Sequence, residues 1–140
     1  MNIPIQPRQI RLELTNHCPA HCWPCHRNLM TRDLGFMSMS LVEKCLGDIR
    51  EFTSPLTEIV PTGWGEAFLH PQWHEILMLI SRSLPGTRMV IPTNGTLLVD
   101  SVVDKLARVP TLKLVNFSVN AVLPATYEAY FKLPASKMDV

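Results

Sequence analysis

Apolar residues along this chain follow two alternating rhythms. Ile10, Leu12 and Leu14 alternate with Arg11 and Glu13, the period-two pattern of a strand with one buried face, and the pattern runs directly into a cysteine-rich loop. Val42, Cys45, Leu46 and Ile49 then recur at i, i+3, i+4 and i+7, predicting a first helix with Ser40 and Glu43 as its capping box. Residues 56–61 read as a second strand ending at Gly63, Trp64 and Gly65, and Trp73, Ile76, Leu77 and Ile80 form a second helical stripe beginning near Pro71. Residues 88–91 predict a third strand ending in Pro92, Thr93, Asn94 and Gly95, followed by a third helix carrying Val99, Val102, Val103 and Leu106. The fourth strand spans residues 112–119 and a fourth helix 124–132, with Tyr127, Tyr130 and Phe131. Asn94 and Gly95 are expected to form a tight turn, His70 and Pro71 to start the second helix, and Trp73 to pack in the core.

Four consecutive strand–helix units predict an α/β fold whose parallel strands are joined by right-handed crossovers. A closed eight-fold barrel takes about 250 residues, so a chain of 140 residues carries half of one. The expectation is an incomplete barrel, a single domain over residues 1–140, with an uncovered sheet edge that marks the chain as truncated.

Composition narrows the function classes. A chain with 46% apolar and 18% charged residues buries a core, and a net charge of +1 supplies neither a basic face for nucleic acid nor an acidic tail. The N-terminus lacks a basic stretch followed by an apolar one, and the apolar run at residues 76–80 is too short to span a bilayer. A cytoplasmic chain without membrane contact is expected. Three of the four cysteines lie within eight residues, which in a reducing compartment favours metal chemistry over disulfides.

Those three, Cys18, Cys22 and Cys25, stand at CxxxCxxC spacing in CPAHCWPC. Each iron of a 4Fe-4S cube takes one outer ligand, so three thiolates leave one iron open to an exogenous molecule. A zinc site closed by His17, His21 or His26 is the rival, because structural zinc takes four ligands. Cys45 falls on the apolar stripe of the first helix and reads as a small buried hydrophobe.

The cysteine motif and four later segments resemble those of the radical S-adenosylmethionine (SAM) enzymes. CxxxCxxC after the first strand is similar to that family's signature; MTRDLGFMS (30–38) to its Gly-Phe-Met stretch; GWGEAFLHP (63–71) to its Gly-Gly-Glu-Pro motif; PTNGTLL (92–98) to its third-strand turn; and FSVNA (117–121) to its fourth-strand segment. The resemblance covers about residues 10–131. It implies a partial TIM barrel of the radical SAM type, in which Cys18, Cys22 and Cys25 hold a 4Fe-4S cluster whose open iron is chelated by SAM. Reductive cleavage of SAM then gives a 5′-deoxyadenosyl radical that abstracts hydrogen from a small-molecule or peptide substrate. A reductant such as flavodoxin or ferredoxin is implied, and the motifs lean towards the branch with a C-terminal auxiliary-cluster (SPASM-like) domain.

In that role Gly65 lets backbone approach a ligand and Glu66 accepts a charge-assisted hydrogen bond from the SAM ammonium. Ser118 and Asn120, two apart, reach ribose hydroxyls or simply end the strand. All these segments fall at carboxyl ends of strands, where parallel βα folds bind ligands. The chain departs from the family at Trp64 and Ala67 within the glycine-rich motif, and at Pro24, which precedes the last cysteine where an aromatic is common. Adenine packing is therefore altered, or Trp23 takes part. With four of six expected units, the resemblance predicts weak SAM binding by this chain alone and no reliable turnover.

Overall fold

Alternation turns Leu12, Leu14, Ile59, Met89 and Ile91 towards one face of a sheet, where they are at most 6% exposed and pack against the stripes of the first two helices. The computed structural model describes residues 7–137, so residues 1–6 of the stretch read for an export signal, and residues 138–140, lie outside the described residues. Strands β1 (Gln9–Arg11), β2 (Glu58–Val60), β3 (Arg88–Thr93) and β4 (Leu112–Phe117) form one parallel sheet in the order β1-β2-β3-β4. Helices α1 (Met39–Arg50), α2 (Trp73–Ser83), α3 (Asp100–Leu106) and α4 (Pro124–Phe131) follow the strands in turn. This is the α/β, parallel, partial-barrel architecture that the pattern predicts.

Ile59, Ile76, Ile80, Met89 and Ile91 are wholly buried, and burying each stabilises the fold by roughly 1.5–3 kcal/mol. Trp73 lies in the same core at 9% exposure, edge-to-face with Phe68. Among the described residues, no helix is long and apolar enough to cross a membrane.

Several boundaries differ from the pattern for physical reasons. The β1 ladder stops at Arg11, with Leu12 N–H still donating to the Val60 carbonyl at 2.9 Å, because β2 runs into Pro61, which has no N–H to give. Beyond it the chain pairs with the Gly-Phe-Met stretch instead. Met37 N–H donates to the Leu14 carbonyl at 2.8 Å, and Thr15 bridges Phe36 in antiparallel fashion. Buried Asn16 completes this clasp, donating to the Asp33 carbonyl at 2.8 Å and accepting from Gly35 N–H at 2.7 Å.

Held through Met37, α1 starts earlier than expected. Its cap is Ser38, whose Oγ accepts from Leu41 N–H at 3.2 Å, so Ser40 and Glu43 form no capping box. α2 starts at Trp73, beyond Pro71, because the buried His70 ring accepts from Gln72 N–H at Nδ1 (3.0 Å) and bonds the Met37 carbonyl through Nε2 (2.9 Å). β3 extends past Ile91 to Thr93, and Pro92 is tolerated there because the β2 pairing has ended at Met89. β4 ends at Phe117 rather than residue 119. Val99 and Val103 of the expected third stripe are more than half exposed, and only Leu106 of that helix is buried, because α3 lies beside β4, an edge strand among the described residues.

Candidate functional site

The cysteine loop is tied at both ends and from above. The clasp at Thr15 and Asn16 fixes its start, and the 3-10 turn His26–Leu29 fixes its end, where Asn28 Nδ2 donates to the Cys22 carbonyl at 3.0 Å. The last carbonyls of α4 accept from the loop, Phe131 from His21 N–H at 3.0 Å and Tyr130 from Trp23 N–H at 3.1 Å. Helix C-termini leave such carbonyls unpaired, so the loop and α4 satisfy each other. Cys18 and Cys22 pack against Ala20, Tyr127 and Phe131. Cys18, Cys22 and Cys25 are unbonded, partly exposed thiols. Burial raises the pKa of Cys18 and Cys22, with Arg27 and backbone N–H groups pulling the other way.

Across the cleft, the turn after β2 carries the glycine-rich motif. Glu66 N–H donates to the His17 carbonyl at 2.8 Å, which draws this turn against the start of the cysteine loop. A Cβ on Gly65 would sit on the Thr15 carbonyl and 2.6 Å from that of His17, so only glycine fits. Trp64 N–H donates to Glu13 Oε1 at 2.7 Å, while Glu13 pairs with Arg32, whose guanidinium lies over the Trp64 ring at 5.3 Å. The indole that replaces a family glycine is thus half exposed, outside the cleft lining.

Glu66 is 3% exposed. Its Oε2 accepts from Asn94 N–H at 3.0 Å, while Oε1 is buried without a hydrogen-bond partner. Burial raises the Glu66 pKa above the ordinary carboxylate value, against the opposing pull of the Asn94 and Phe68 N–H groups and the Thr93 hydroxyl.

Gly65→Ala is expected to force the two backbones apart, at a cost of about 1–3 kcal/mol or more. Urea denaturation of the iron-free protein checks the expectation, because Gly35→Ala, where nothing stands within 4 Å of the added carbon, leaves the midpoint nearly unchanged.

An open cleft of about 330 Å³ gathers Cys18, Cys22, Cys25, Gly65, Glu66, Ser118 and Asn120 at the carboxyl ends of the strands. Ser118 and Asn120 lie just beyond β4 rather than on it, with Ser118 N–H donating to the Thr93 carbonyl at 2.8 Å. The cleft also includes Arg11, Thr62 and Asn94, which sequence reasoning does not assign to a site. Asn94 does form the expected turn with Gly95 (φ 82°), yet its Nδ2 also approaches Cys18 Sγ at 3.6 Å. Its position just past the end of the third strand is the available signal. A second cavity of about 140 Å³ adjoins through Asn94, Ser118 and Phe131 and is walled by Tyr127. Pro24 lines the main cleft, whereas Trp23 is 73% exposed and outside it.

The nearby histidines are placed elsewhere. His17 stacks on Phe36 with ring centroids 4.5 Å apart, and His21 and His26 are exposed. Among the described residues, no three His, Cys, Asp or Glu side chains gather closely enough to hold a single metal ion. Ligands of a cluster bind different irons and need not converge on one point. Cys45, half-buried on α1, packs against the main core.

The sequence profile of the Radical SAM superfamily matches residues 12–136. The chain belongs to that superfamily. A Pyrococcus furiosus relative, the tungsten-containing aldehyde ferredoxin oxidoreductase cofactor-modifying protein, is 32% identical over 117 residues, covering 84% of this chain and 32% of the relative. The chain therefore spans about a third of the length of the curated relative it matches. Among solved structures it is similar to BtrN in complex with AdoMet and 2-DOIA (TM-score 0.67, 16% identity, 94% of this chain and 65% of that one). It is also similar to Streptococcus suis SuiB bound to S-adenosylmethionine (TM-score 0.71, 15% identity, 94% and 29%), and to SuiB bound to precursor peptide SuiA (TM-score 0.70, 16% identity, 94% and 28%). At these identities the structural likeness is one of fold, and the radical SAM partial barrel is that fold.

The radical SAM superfamily implies a 4Fe-4S cluster and SAM, and the residues present fit both. Three unbonded thiols border one cleft, a glycine occupies a gap that any side chain would fill, and a buried carboxylate oxygen on the cleft wall lacks a donor.

Proposed function

We propose that residues 1–140 form the strand-one to strand-four part of a radical SAM core domain, in which Cys18, Cys22 and Cys25 hold the cluster and Gly65, Glu66, Ser118 and Asn120 bind SAM. The supporting observation is that three thiols and Glu66, whose Oε1 is buried without a hydrogen-bond donor, border one cleft at the carboxyl ends of four parallel strands. Bound there, the cluster supplies the electron that cleaves SAM into methionine and a 5′-deoxyadenosyl radical able to take hydrogen from a substrate. The protein's own groups orient the reactants. Glu66 Oε1 offers an acceptor to a ligand ammonium in a dry setting where such a bond is strong. Gly65 allows the chain to approach the ligand, Ser118 and Asn120 offer exposed hydroxyl and amide groups to a ribose, and the Tyr127–Phe131 wall of the adjoining cavity shields a flat apolar ring from water. The electron comes from a reductant such as flavodoxin or ferredoxin, and the substrate is a small molecule or a peptide.

Anaerobic purification followed by iron and sulfide analysis tests this reading. The expected protein is brown, with about four irons and four sulfides per chain, bleaches with dithionite, and releases methionine and 5′-deoxyadenosine from SAM when carried in its full-length polypeptide. A colourless protein holding one zinc per chain would overturn it.

A further inference from the structure

Arg27 stands in the 3-10 turn that leaves the cysteine loop, and its side chain reaches back into that loop. Nη2 donates to the carbonyl of Ala20 at 2.7 Å and lies 3.5 Å from His21 Nδ1. Ala20 is 2% exposed and packs with Cys18 and Cys22 against Tyr127 and Phe131. Nε is buried without any hydrogen-bond partner, and no carboxylate pairs with the guanidinium among the described residues. A guanidinium cannot discard its proton, so a buried N–H of this kind is costly to leave without an acceptor. The Ala20 carbonyl takes one of its N–H groups, and the Cys18 and Cys22 side chains pack in the same cluster as Ala20.

We propose that Arg27 is the electrostatic partner of the iron–sulfur group held by this loop, its Nε–H donating to a cysteine or cluster sulfur and its charge easing one-electron reduction. The proposal rests on the cluster reading given above. Reduction adds one electron, drawn from an external one-electron donor, and therefore one negative charge to a site that already holds three thiolates. A fixed cation beside them offsets the added charge, and both net charge and hydrogen bonds to sulfur set the potentials of such centres.

The test is a dithionite redox titration, followed by electron paramagnetic resonance, of the full-length protein loaded anaerobically with iron and sulfide. Arg27→Gln is expected to move the midpoint to more negative potential, enough to lower the reduced fraction about tenfold, which is 59 mV for a one-electron couple. Arg27→Lys keeps the charge and loses the fork, so it moves less than half as far. Arg82→Gln, an exposed α2 position, leaves the midpoint in place. An unchanged midpoint in Arg27→Gln overturns the proposal, as does an Arg27→Lys shift as large as that of Arg27→Gln. Iron lost from the Gln variant but retained by the Lys variant supports it; iron lost from both assigns Arg27 a merely structural role and overturns it. Wild-type protein that binds no iron and sulfide overturns the cluster reading itself, a failure visible before any variant is compared.

Discussion

Replacing Cys18, Cys22 or Cys25 singly by Ala is expected to lower bound iron and sulfide from about four of each per chain to under about one, and SAM cleavage by more than ~100-fold. Two thiolates leave two irons of a cube without a protein ligand, and among the described residues no group of three His, Cys, Asp or Glu side chains converges to replace the lost one. His17 is stacked on Phe36, His21 and His26 are exposed, and Cys45 packs against the core on α1. The three thiols are only partly buried, so each loss costs the iron-free fold little, and urea midpoints of the apo variants should lie close to that of the parent. Cys45→Ala supplies the opposite pattern: iron content stays at the parental value while stability falls by up to about 1 kcal/mol, the cost of trimming a half-buried apolar group. Iron analysis and denaturation on the same four variants therefore separate ligand thiols from a packing thiol. Full iron retention in any of the three loop variants would remove that residue from the ligand set.

The order of strands and helices is legible because two periodicities, two and 3.6, recur cleanly at Ile10 to Leu14 and at Val42 to Ile49. Element ends are less so, since they depend on tertiary hydrogen bonds that no local pattern encodes. Ser40 and Glu43 have capping-box spacing, yet the Met37 bond to Leu14 sets the chain so that Ser38 takes the cap. The three cysteines and Glu66 are legible from spacing and resemblance, and they do border one cleft. Asn94 reads in the sequence first as a turn. Its amide approach to Cys18 and its N–H bond to Glu66 cross 76 and 28 residues of chain, which no motif of a few residues can express. The same holds for α4, whose terminal carbonyls hold the cysteine loop more than a hundred residues earlier in sequence. The expected third apolar stripe fails for a related reason. Val99 and Val103 have the right spacing, but burial needs something to pack against, and β4 beside them is an edge strand among the described residues.

Glu66→Gln is expected to weaken SAM binding by ~10–100-fold while leaving the apo fold as stable as before, or more stable by about 1 kcal/mol. The two effects have opposite signs because the carboxylate is a poor structural choice. It is buried, only one of its oxygens is paired, and burial has raised its pKa. A glutamine keeps an acceptor for Asn94 N–H and removes the desolvated charge, so the fold does not suffer. The ligand does, because an ammonium donating to a carboxylate in a dry site gains roughly 1.5–3 kcal/mol that an amide cannot match. Glu66→Ala is the poorer probe, since it also abandons the Asn94 N–H, at about 1–3 kcal/mol.

The pH dependence sharpens the distinction. With its folded pKa raised, Glu66 takes up a proton in the native apo protein at a pH where the unfolded chain holds none. Its contribution to apo stability is therefore full below the unfolded value and lost as pH rises through the folded one. SAM binding through the ionised carboxylate runs the other way, strengthening across the same window. Both slopes should disappear in Glu66→Gln, measured by urea denaturation of the apo protein and by equilibrium binding of SAM to the cluster-loaded one. A carboxylate kept only for packing would change the first slope and leave the second untouched, whereas loss of both ties the unpaired oxygen to a cationic ligand.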